Sequence, residues 1–412
     1  MSENFILLHR LQQPIQVAIL PPSSKSESNR ALIIDALSGH ACNLKNLSNA
    51  RDTQTMIRLL SSDEFVLDVL DAGTTMRFLT AYCAVCGREA ELTGTARMRE
   101  RPIKLLVDAL NSLGCNVSYK ENEGYPPLII RKPNIREQNN YCKIRGDVSS
   151  QYITALLMVA PVLPNGLVLE LEGKIGSKPY IEMTLRLMHH FGIKYNWEGN
   201  IITIPHQSYV GAEYFVESDW SAASYWYSIA ALAPESRIEL IGYKPSSLQG
   251  DRVIVDIGHY IGVNTTFTEN GLLLQKKAPV SSFEWDFTHC PDLAQTIAVV
   301  CAAQGIECTM HGLESLRIKE TDRIAALQNE LKKFNIEMIE IEKDHTYKVC
   351  KGHINVSNQM VHTYHDHRMA MAFAPLALLG DICIHDPEVV NKSYPHFWND
   401  LSKSGFMVSY NK

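Results

Sequence analysis

The chain has 412 residues, 45% hydrophobic and 20% charged, which is ample for a sizeable core and suggests two or three domains. Lys and Arg number 39 against 45 Asp and Glu, and a net charge of −6 excludes the broad positive field that nucleic acid or an anionic membrane calls for. No run of 18 apolar residues predicts a membrane span, and MSENFILLHRLQQP lacks the basic-then-apolar layout of a signal peptide, so a cytoplasmic protein is expected. Taken in chain order, the first predicted element is SKSESNRALIIDALSG (24–39), a polar start followed by a helix apolar nearly all round. A weaker amphipathic helix follows from Arg51 to about Ser62, then a strand in FVLDVL (65–70). AGTTMRFLTAYCAVCG (72–87) repeats the first pattern. Its Cys83 and Cys86 form a CxxC within an apolar run, and with ten scattered cysteines this predicts buried thiols in a reducing compartment.

An amphipathic helix opening near Pro102 and ending at Gly114 comes next. The apolar pattern returns in SSQYITALLMVAPVLPNG (149–166), followed by a strand in LVLELEG (167–173). A helix from Pro179 to Gly192 precedes a strand in NIITIP (200–205). Three more apolar copies are SDWSAASYWYSIAALAP (218–234), CPDLAQTIAVVCAAQG (290–305) and DHRMAMAFAPLALLG (366–380). Between and after them, amphipathic helices end at Gly262, Asn335 and Gly405. The five terminators, from Gly114 onward, are spaced 78, 70, 73 and 70 residues apart. Gly and Asn both tolerate the left-handed conformation that closes a helix. The chain therefore reads as six α/β units of about 70 residues. Solenoid repeats run to roughly 20–50 residues, so two compact domains of three units are expected instead.

The apolar helices begin with polar groups: Ser26, Thr74, Ser149, Ser150, Asp292 and the Asp366-His367-Arg368 run. Helix starts present unpaired N–H groups and a partial positive charge, so such residues serve either as N-caps or beside a bound anion. Basic residues gather at the same places. Lys25 and Arg30 flank the first start. Arg97, Arg99 and Arg101 alternate in ARMRERP, which on an extended chain puts all three on one face. In KETDR, Lys319 and Arg323 are four apart, a pairing that on a helix costs about 0.2–0.5 kcal/mol unless an anion lies between them. Each cluster alone fits a solvated surface; together they imply a strongly anionic ligand. Asp292 and Glu320 are the nearest carboxylates, either general acid–base groups or organisers of the cations. HTYHDHR (362–368) has the look of a metal site, but Arg368 would repel a cation and no Cys or Glu completes the set. There is no Walker A motif and no GxGxxG before a helix.

PPSSKSESNRAL, DAGTTMRFL, MRERP, GDVSSQYITALL, GSKPYI, PDLA, RIKETDR and YHDHRMAMA follow one another from residue 21 to Asn391-Lys392-Ser393. This ordered set resembles the motifs of the 5-enolpyruvylshikimate-3-phosphate synthases. The resemblance implies an α/β, two-domain enolpyruvyl transferase fold, each domain three βαβαββ units in an inside-out α/β barrel, closing over the substrates. It places residues 22–217 in one domain and residues 1–21 with 218–412 in the other. It implies transfer of the enolpyruvyl group of phosphoenolpyruvate to the 5-hydroxyl of shikimate 3-phosphate, by addition and then elimination of phosphate. Carried over by motif, Lys25, Ser26, Arg30, Ser149, Ser150, Gln151, Ser177, Asp292, Ser315 and Lys319 are the implied shikimate 3-phosphate ligands. Lys25, Gly73, Arg101, Gln151, Arg323, Arg368 and Lys392 are those of phosphoenolpyruvate. Bidentate Arg forks suit a phosphate and a carboxylate, and Gly73 lets backbone N–H approach an anion closely.

Within that set, Asp292 is expected as base at the hydroxyl, Glu320 as proton donor to the methylene, and Lys25 as the charge stabiliser. No metal or cofactor is implied, and the partners are two small molecules acting on a monomer, with no nucleic acid or membrane. Three positions depart from the family pattern: Ser315 where Asn is common, Asp71 where Asn is usual, and Glu27 where an aliphatic stands. The related transferase acting on UDP-N-acetylglucosamine carries a Cys five residues before the Arg-Pro; this chain has Ala96 there. A non-catalytic anion-binding protein of the same fold would have lost one of Lys25, Asp292 or Glu320, and all three are present.

Overall fold

A computed structural model describes residues 4–133, 139–147 and 149–411. Val148 of the GDVSSQYITALL motif and the outermost residues of the expected domain limits, 1–3 and 412, lie outside the described residues. The chain forms two compact units, Ser23–Val216 and Met1–Pro22 with Glu217–Lys412.

In Ser23–Val216 the helices are α1 (Lys25–Leu37), α2 (Arg51–Leu60), α3 (Gly73–Cys86), α4 (Ala96–Arg99), α5 (Lys104–Ser112), α6 (Ser150–Val159) and α7 (Lys178–His190). Two four-stranded sheets share one plan. Val66–Asp68 runs parallel to Ala90–Thr93, with Leu128–Arg131 and Asn116–Tyr119 added antiparallel. Tyr141–Arg145 runs parallel to Leu167–Glu172, with Ile201–Ile204 and Asn196–Glu198 added likewise. In each, an apolar helix links the parallel strands and an amphipathic helix precedes the closing hairpin, which is the βαβαββ order. The third set is reduced: Asn43–Lys45 pairs in parallel with Glu213–Phe215 alone.

In the other unit the helices are α8 (Trp220–Leu232), α9 (Ile254–Tyr260), α10 (Ala294–Gln304), α11 (Arg323–Lys333), α12 (His367–Phe373) and α13 (Phe397–Lys403). All three of its sheets are four-stranded. Ile15–Ile19 pairs in parallel with Ser236–Ile241, which leads to Gly271–Lys276 and Val263–Phe267. Ser282–Asp286 pairs with Glu307–His311, then Thr346–Val349 and Met338–Glu342. Gln359–Val361 pairs with Ile382–His385, then the N-terminal strand Phe5–Leu8 and Val408–Asn411.

The core of each unit lies around its apolar helices. In α8 every residue but Ser221 is buried, and all of α12 is buried. These helices pack on α10, and α1, α3 and α6 pack on one another in the first unit. Helices apolar all round can be satisfied only where neighbours surround them, and the sheets and amphipathic helices supply that cover. Five amphipathic helices stop at residues with positive φ, Gly114 (88°), Gly192 (88°), Gly262 (82°), Asn335 (64°) and Gly405 (101°), whereas α2 ends at Ser61 with φ −90°. Pro179 lies in the first turn of α7, but Pro102 stands two residues before α5, its carbonyl accepting from Arg77 Nη2 at 3.1 Å. All ten cysteines are free thiols, but only part of them buried: Cys83 is, whereas Cys86 is exposed.

Candidate active site

In Ser23–Val216 the start of α1 is capped by Ser24, whose hydroxyl accepts from Glu27 N at 3.3 Å. Ser26 and Thr74 are therefore not caps; α3 begins with Ala72 at its cap position and no side-chain bond. Ser149 does cap α6, accepting from Gln151 N at 3.4 Å, and Ser150 is the first helical residue. Lys25 Nζ lies 3.0 Å from Oδ2 of buried Asp52. Gln151 Nε2 donates to Thr74 Oγ1 at 3.2 Å, so the starts of α3 and α6 are adjacent. Ser177 precedes α7 in the left-handed region, at φ 51°.

Arg30 is buried. Its Nε donates to Thr184 Oγ1 at 2.8 Å, Nη1 to the Ser26 carbonyl at 2.8 Å and Nη2 to Thr154 Oγ1 at 3.5 Å. Burial lowers its pKa to about 10, so the guanidinium stays charged at neutral pH. The expectation that Arg97, Arg99 and Arg101 share the face of an extended strand is overturned. Thr95 caps the short helix α4 by accepting from Met98 N at 3.3 Å, which turns the three arginines apart. Arg97 pairs with Glu100 at 3.2 Å on the surface and Arg99 lies 3.8 Å from Glu121. Only Arg101 is buried, and it lies against Gly73: a Cβ there would meet Arg101 Nη1 at 2.6 Å. Two departures from the family pattern are compensated locally. Arg51 Nη2 holds both oxygens of Asp71, at 3.1 and 2.9 Å, and Tyr214 Oη donates to Glu27 Oε2 at 2.7 Å.

In the other unit, cations and carboxylates are interlaced. KETDR does not form one helix; Lys319 is extended after the 3-10 turn Glu314–Ile318 that holds Ser315, and Asp322 caps α11 by accepting from Ala325 N at 3.0 Å. Arg323 is thereby the first residue of α11, aimed inward and buried. Its Nε donates to Asp366 Oδ2 at 2.7 Å, Nη1 to Asp292 Oδ1 at 3.1 Å and Nη2 to Glu320 Oε2 at 2.9 Å. Asp292 also binds Arg368, whose Nη2 lies 2.8 Å from Oδ2 and whose Nη1 donates to the Asp292 carbonyl at 3.1 Å. Lys392, buried at the end of a 3-10 turn, has its Nζ 3.4 Å from Glu320 Oε1. Asp292 thus bridges two arginines, and Glu320 bridges Arg323 to Lys392.

Burial alone would raise the Asp292 pKa, but Arg368, Lys319 and Arg323 outweigh it and hold the carboxyl far below the ordinary range. Burial likewise works against the charge of Arg323, and Asp366, Glu320 and Asp292 more than restore it. The chemistry open to such a site is anion capture. Four cations, Arg323, Arg368, Lys392 and Lys319, face three carboxylates, and an incoming phosphate or carboxylate competes with Asp292 and Glu320 for the same donors. As those cations are shared, Asp292 loses part of what holds its carboxyl so low.

Of the expected residues, the structure brings Asp292, Glu320, Arg323, Arg368 and Lys392 into one bonded network, with Lys319 acting on Asp292 by its charge. Gly73 and Arg101 touch each other. Sequence reasoning named Asp366 only as part of a helix start; it caps α12, accepting from Arg368 N at 2.9 Å, while its other oxygen holds Arg323. The Asp-x-Arg spacing was the available signal. Tyr225, Ser221 and Asp251 also join this network; the first two lie in the apolar pattern 218–234, which marks a helix and no ligand, and Asp251 lies in no pattern. Of the histidines in HTYHDHR, His362 and His365 are exposed and His367 is buried, and among the described residues no group of three or more His, Cys, Asp or Glu is placed to hold a metal ion.

A family model described as EPSP synthase (3-phosphoshikimate 1-carboxyvinyltransferase) matches residues 60–401. A 3-phosphoshikimate 1-carboxyvinyltransferase of Bacteroides fragilis is 48% identical over 400 residues, covering 96% of each chain. One from Neisseria meningitidis is 36% identical over 434 aligned positions and 98% of each. A solved EPSP synthase of Acinetobacter baumannii superposes with a TM-score of 0.77 over 99% of this chain and 100% of that one, at 18% identity, a likeness of fold.

Proposed function

The chain belongs to the EPSP synthase family, and on that premise we propose that the network around Arg323 is where its chemistry is done. The reaction is transfer of the enolpyruvyl group of phosphoenolpyruvate to the 5-hydroxyl of shikimate 3-phosphate with release of phosphate, a step of the shikimate pathway. The hydroxyl adds to the enol carbon as its proton passes to a base and a proton joins the methylene; the tetrahedral adduct then loses a proton from the methyl so formed, restoring the double bond as phosphate leaves. Arg323, Arg368, Lys392, Lys25, Gly73, Arg101 and Gln151 are assigned to phosphoenolpyruvate. Lys25, Ser26, Arg30, Ser149, Ser150, Gln151, Ser177, Asp292, Ser315 and Lys319 are assigned to shikimate 3-phosphate.

The observation that carries the proposal is that one arginine, Arg323, holds Asp292 and Glu320 together at 3.1 and 2.9 Å. A carboxylate that accepts the hydroxyl proton and one that delivers a proton to the methylene must flank one reacting centre, and a shared guanidinium sets their spacing. Asp292 is assigned as the base. Its depressed pKa fits a group kept ionised until anionic substrates share its cations. Glu320 is assigned the methylene proton, with the Lys392 ammonium 3.4 Å away as its proton source. Lys25 would balance charge on both substrates. The protein is proposed to work in the cytoplasm as a monomer; its free thiols are consistent with a reducing compartment.

Asp292→Ala tests the assignment. Binding of both substrates, followed by calorimetry, should persist while kcat falls by about 10²–10⁴. Near-normal turnover would remove Asp292 from the mechanism.

A further inference from the structure

We infer that Asp251 is a positioning residue for Arg368, acting through the hydroxyl of Ser221. The inference rests on the assignment of Arg368 to phosphoenolpyruvate made above. Asp251 lies on the 3-10 turn Gly250–Val253, remote in sequence from every motif, and is buried. Its Oδ2 accepts the hydroxyl hydrogen of Ser221, and its Oδ1 is buried with no hydrogen-bond partner among the described residues. Ser221, half-buried where the other residues of α8 are buried, presents its oxygen 3.4 Å from Arg368 Nη2. That same nitrogen lies 2.8 Å from Asp292 Oδ2.

The direction of the hydrogen bond is what matters. A serine hydroxyl has one hydrogen and two lone pairs, and it rotates to suit its neighbours. With its hydrogen committed to Asp251, Ser221 can offer Arg368 only an acceptor. The guanidinium is then fixed on both nitrogens: Nη2 by Asp292 and Ser221, Nη1 by the Asp292 carbonyl and by Tyr225 Oη at 3.3 Å. The turn that carries Asp251 is itself anchored to the same helix start. Gln249 Oε1 accepts from Trp220 N at 2.9 Å, and Gln249 Nε2 donates to the Ser218 carbonyl at 2.9 Å.

A buried carboxyl bonded to a neutral hydroxyl is a costly way to fill space, and residues for which only volume matters are aliphatic. The groups facing Asp251 are Asp219 and Ser221 at the start of α8, Cys290 and Asp292 before α10, and Arg368 of α12. Burial first, and then the charge of Asp292, hold the Asp251 carboxyl above the usual carboxylate range, against the opposing effects of Ser221 and Arg368. Either protonation state leaves an oxygen to accept from Ser221. An amide oxygen could accept in its place.

The test is steady-state kinetics of the whole enzyme with both substrates varied. Asp251→Ala should raise the phosphoenolpyruvate KM by about tenfold or more while the shikimate 3-phosphate KM stays within about twofold. Asp251→Asn should recover most of the loss, since its side-chain oxygen still accepts. Ser221→Ala should reproduce the Asp251→Ala defect, and the double variant should be no worse than either single one, the mark of two residues acting as a unit. Multiplying defects, a Ser221→Ala enzyme with normal KM, or equal loss for both substrates would overturn the inference. Arg368→Ala is the control for the underlying assignment. An unchanged phosphoenolpyruvate KM there would sink the role of Arg368 itself, whereas a large rise beside normal Asp251 and Ser221 variants sinks only the positioning role.

Discussion

Gly73 shows how one missing methyl group shapes the site. A Cβ there would sit 2.6 Å from Arg101 Nη1 and 3.0 Å from its Cζ, too close for the buried guanidinium to stay where it is. Gly73→Ala should therefore displace the Arg101 guanidinium and raise the phosphoenolpyruvate KM by about tenfold, leaving the shikimate 3-phosphate KM nearly unchanged. An unaltered phosphoenolpyruvate KM would mean that Arg101 does not meet that substrate. At this scale the sequence was informative where charge recurred at helix starts: Lys25, Asp292, Glu320, Arg323 and Arg368 all stood out. It was silent on Asp52, Ser221, Tyr225 and Asp251, which meet their partners only through tertiary packing. It misleads at ARMRERP, where alternation predicts extended chain although Thr95 starts a helix turn. Local capping chemistry outweighed the period.

Among the elements, the amphipathic helices and their terminators were legible because a left-handed closing residue is a local demand that Gly or Asn meets regardless of fold. The six apolar helices were legible from composition, with α6, α10 and α12 continuing into or out of 3-10 turns. What periodicity could not reveal was that KETDR breaks between a 3-10 turn and α11, because Asp322 caps the helix and separates Lys319 from Arg323. Nor did it reveal that the strand Phe5–Leu8 completes a sheet built near the other end of the chain. The terminators give a quantitative test. Gly192 sits at φ 88° with Val210 Cγ2 2.9 Å from where a Cβ would be, whereas Gly199, at φ 56°, has open space. Gly199→Ala should cost about 1 kcal/mol from the left-handed backbone alone, and Gly192→Ala clearly more, by about another 1–3 kcal/mol for crowding. Urea unfolding of both variants measures the difference; equal losses would mean that Val210 yields without cost.

The whole molecule is two units, each built on three apolar helices, and each carries part of the candidate chemistry. Lys25, Gly73, Arg101 and Gln151 belong to Ser23–Val216, while Asp292, Glu320, Arg323, Arg368 and Lys392 belong to Glu217–Lys412. One α/β plan recurs in both, an apolar helix between paired strands and an amphipathic helix before the closing hairpin. The bonded network itself was not readable, because its members come from the 3-10 turn before α10, the start of α11, the start of α12 and the turn ending at Lys392. The acceptor contacts assigned to Asp292, Ser315, Lys319 and the serines of the other unit predict turnover with shikimate 3-phosphate and not with a UDP-sugar. The direct measurement is phosphate release from phosphoenolpyruvate by the purified protein. Release that depends on added shikimate 3-phosphate is the predicted result; release with UDP-N-acetylglucosamine in its place, or none with either acceptor, would contradict the account.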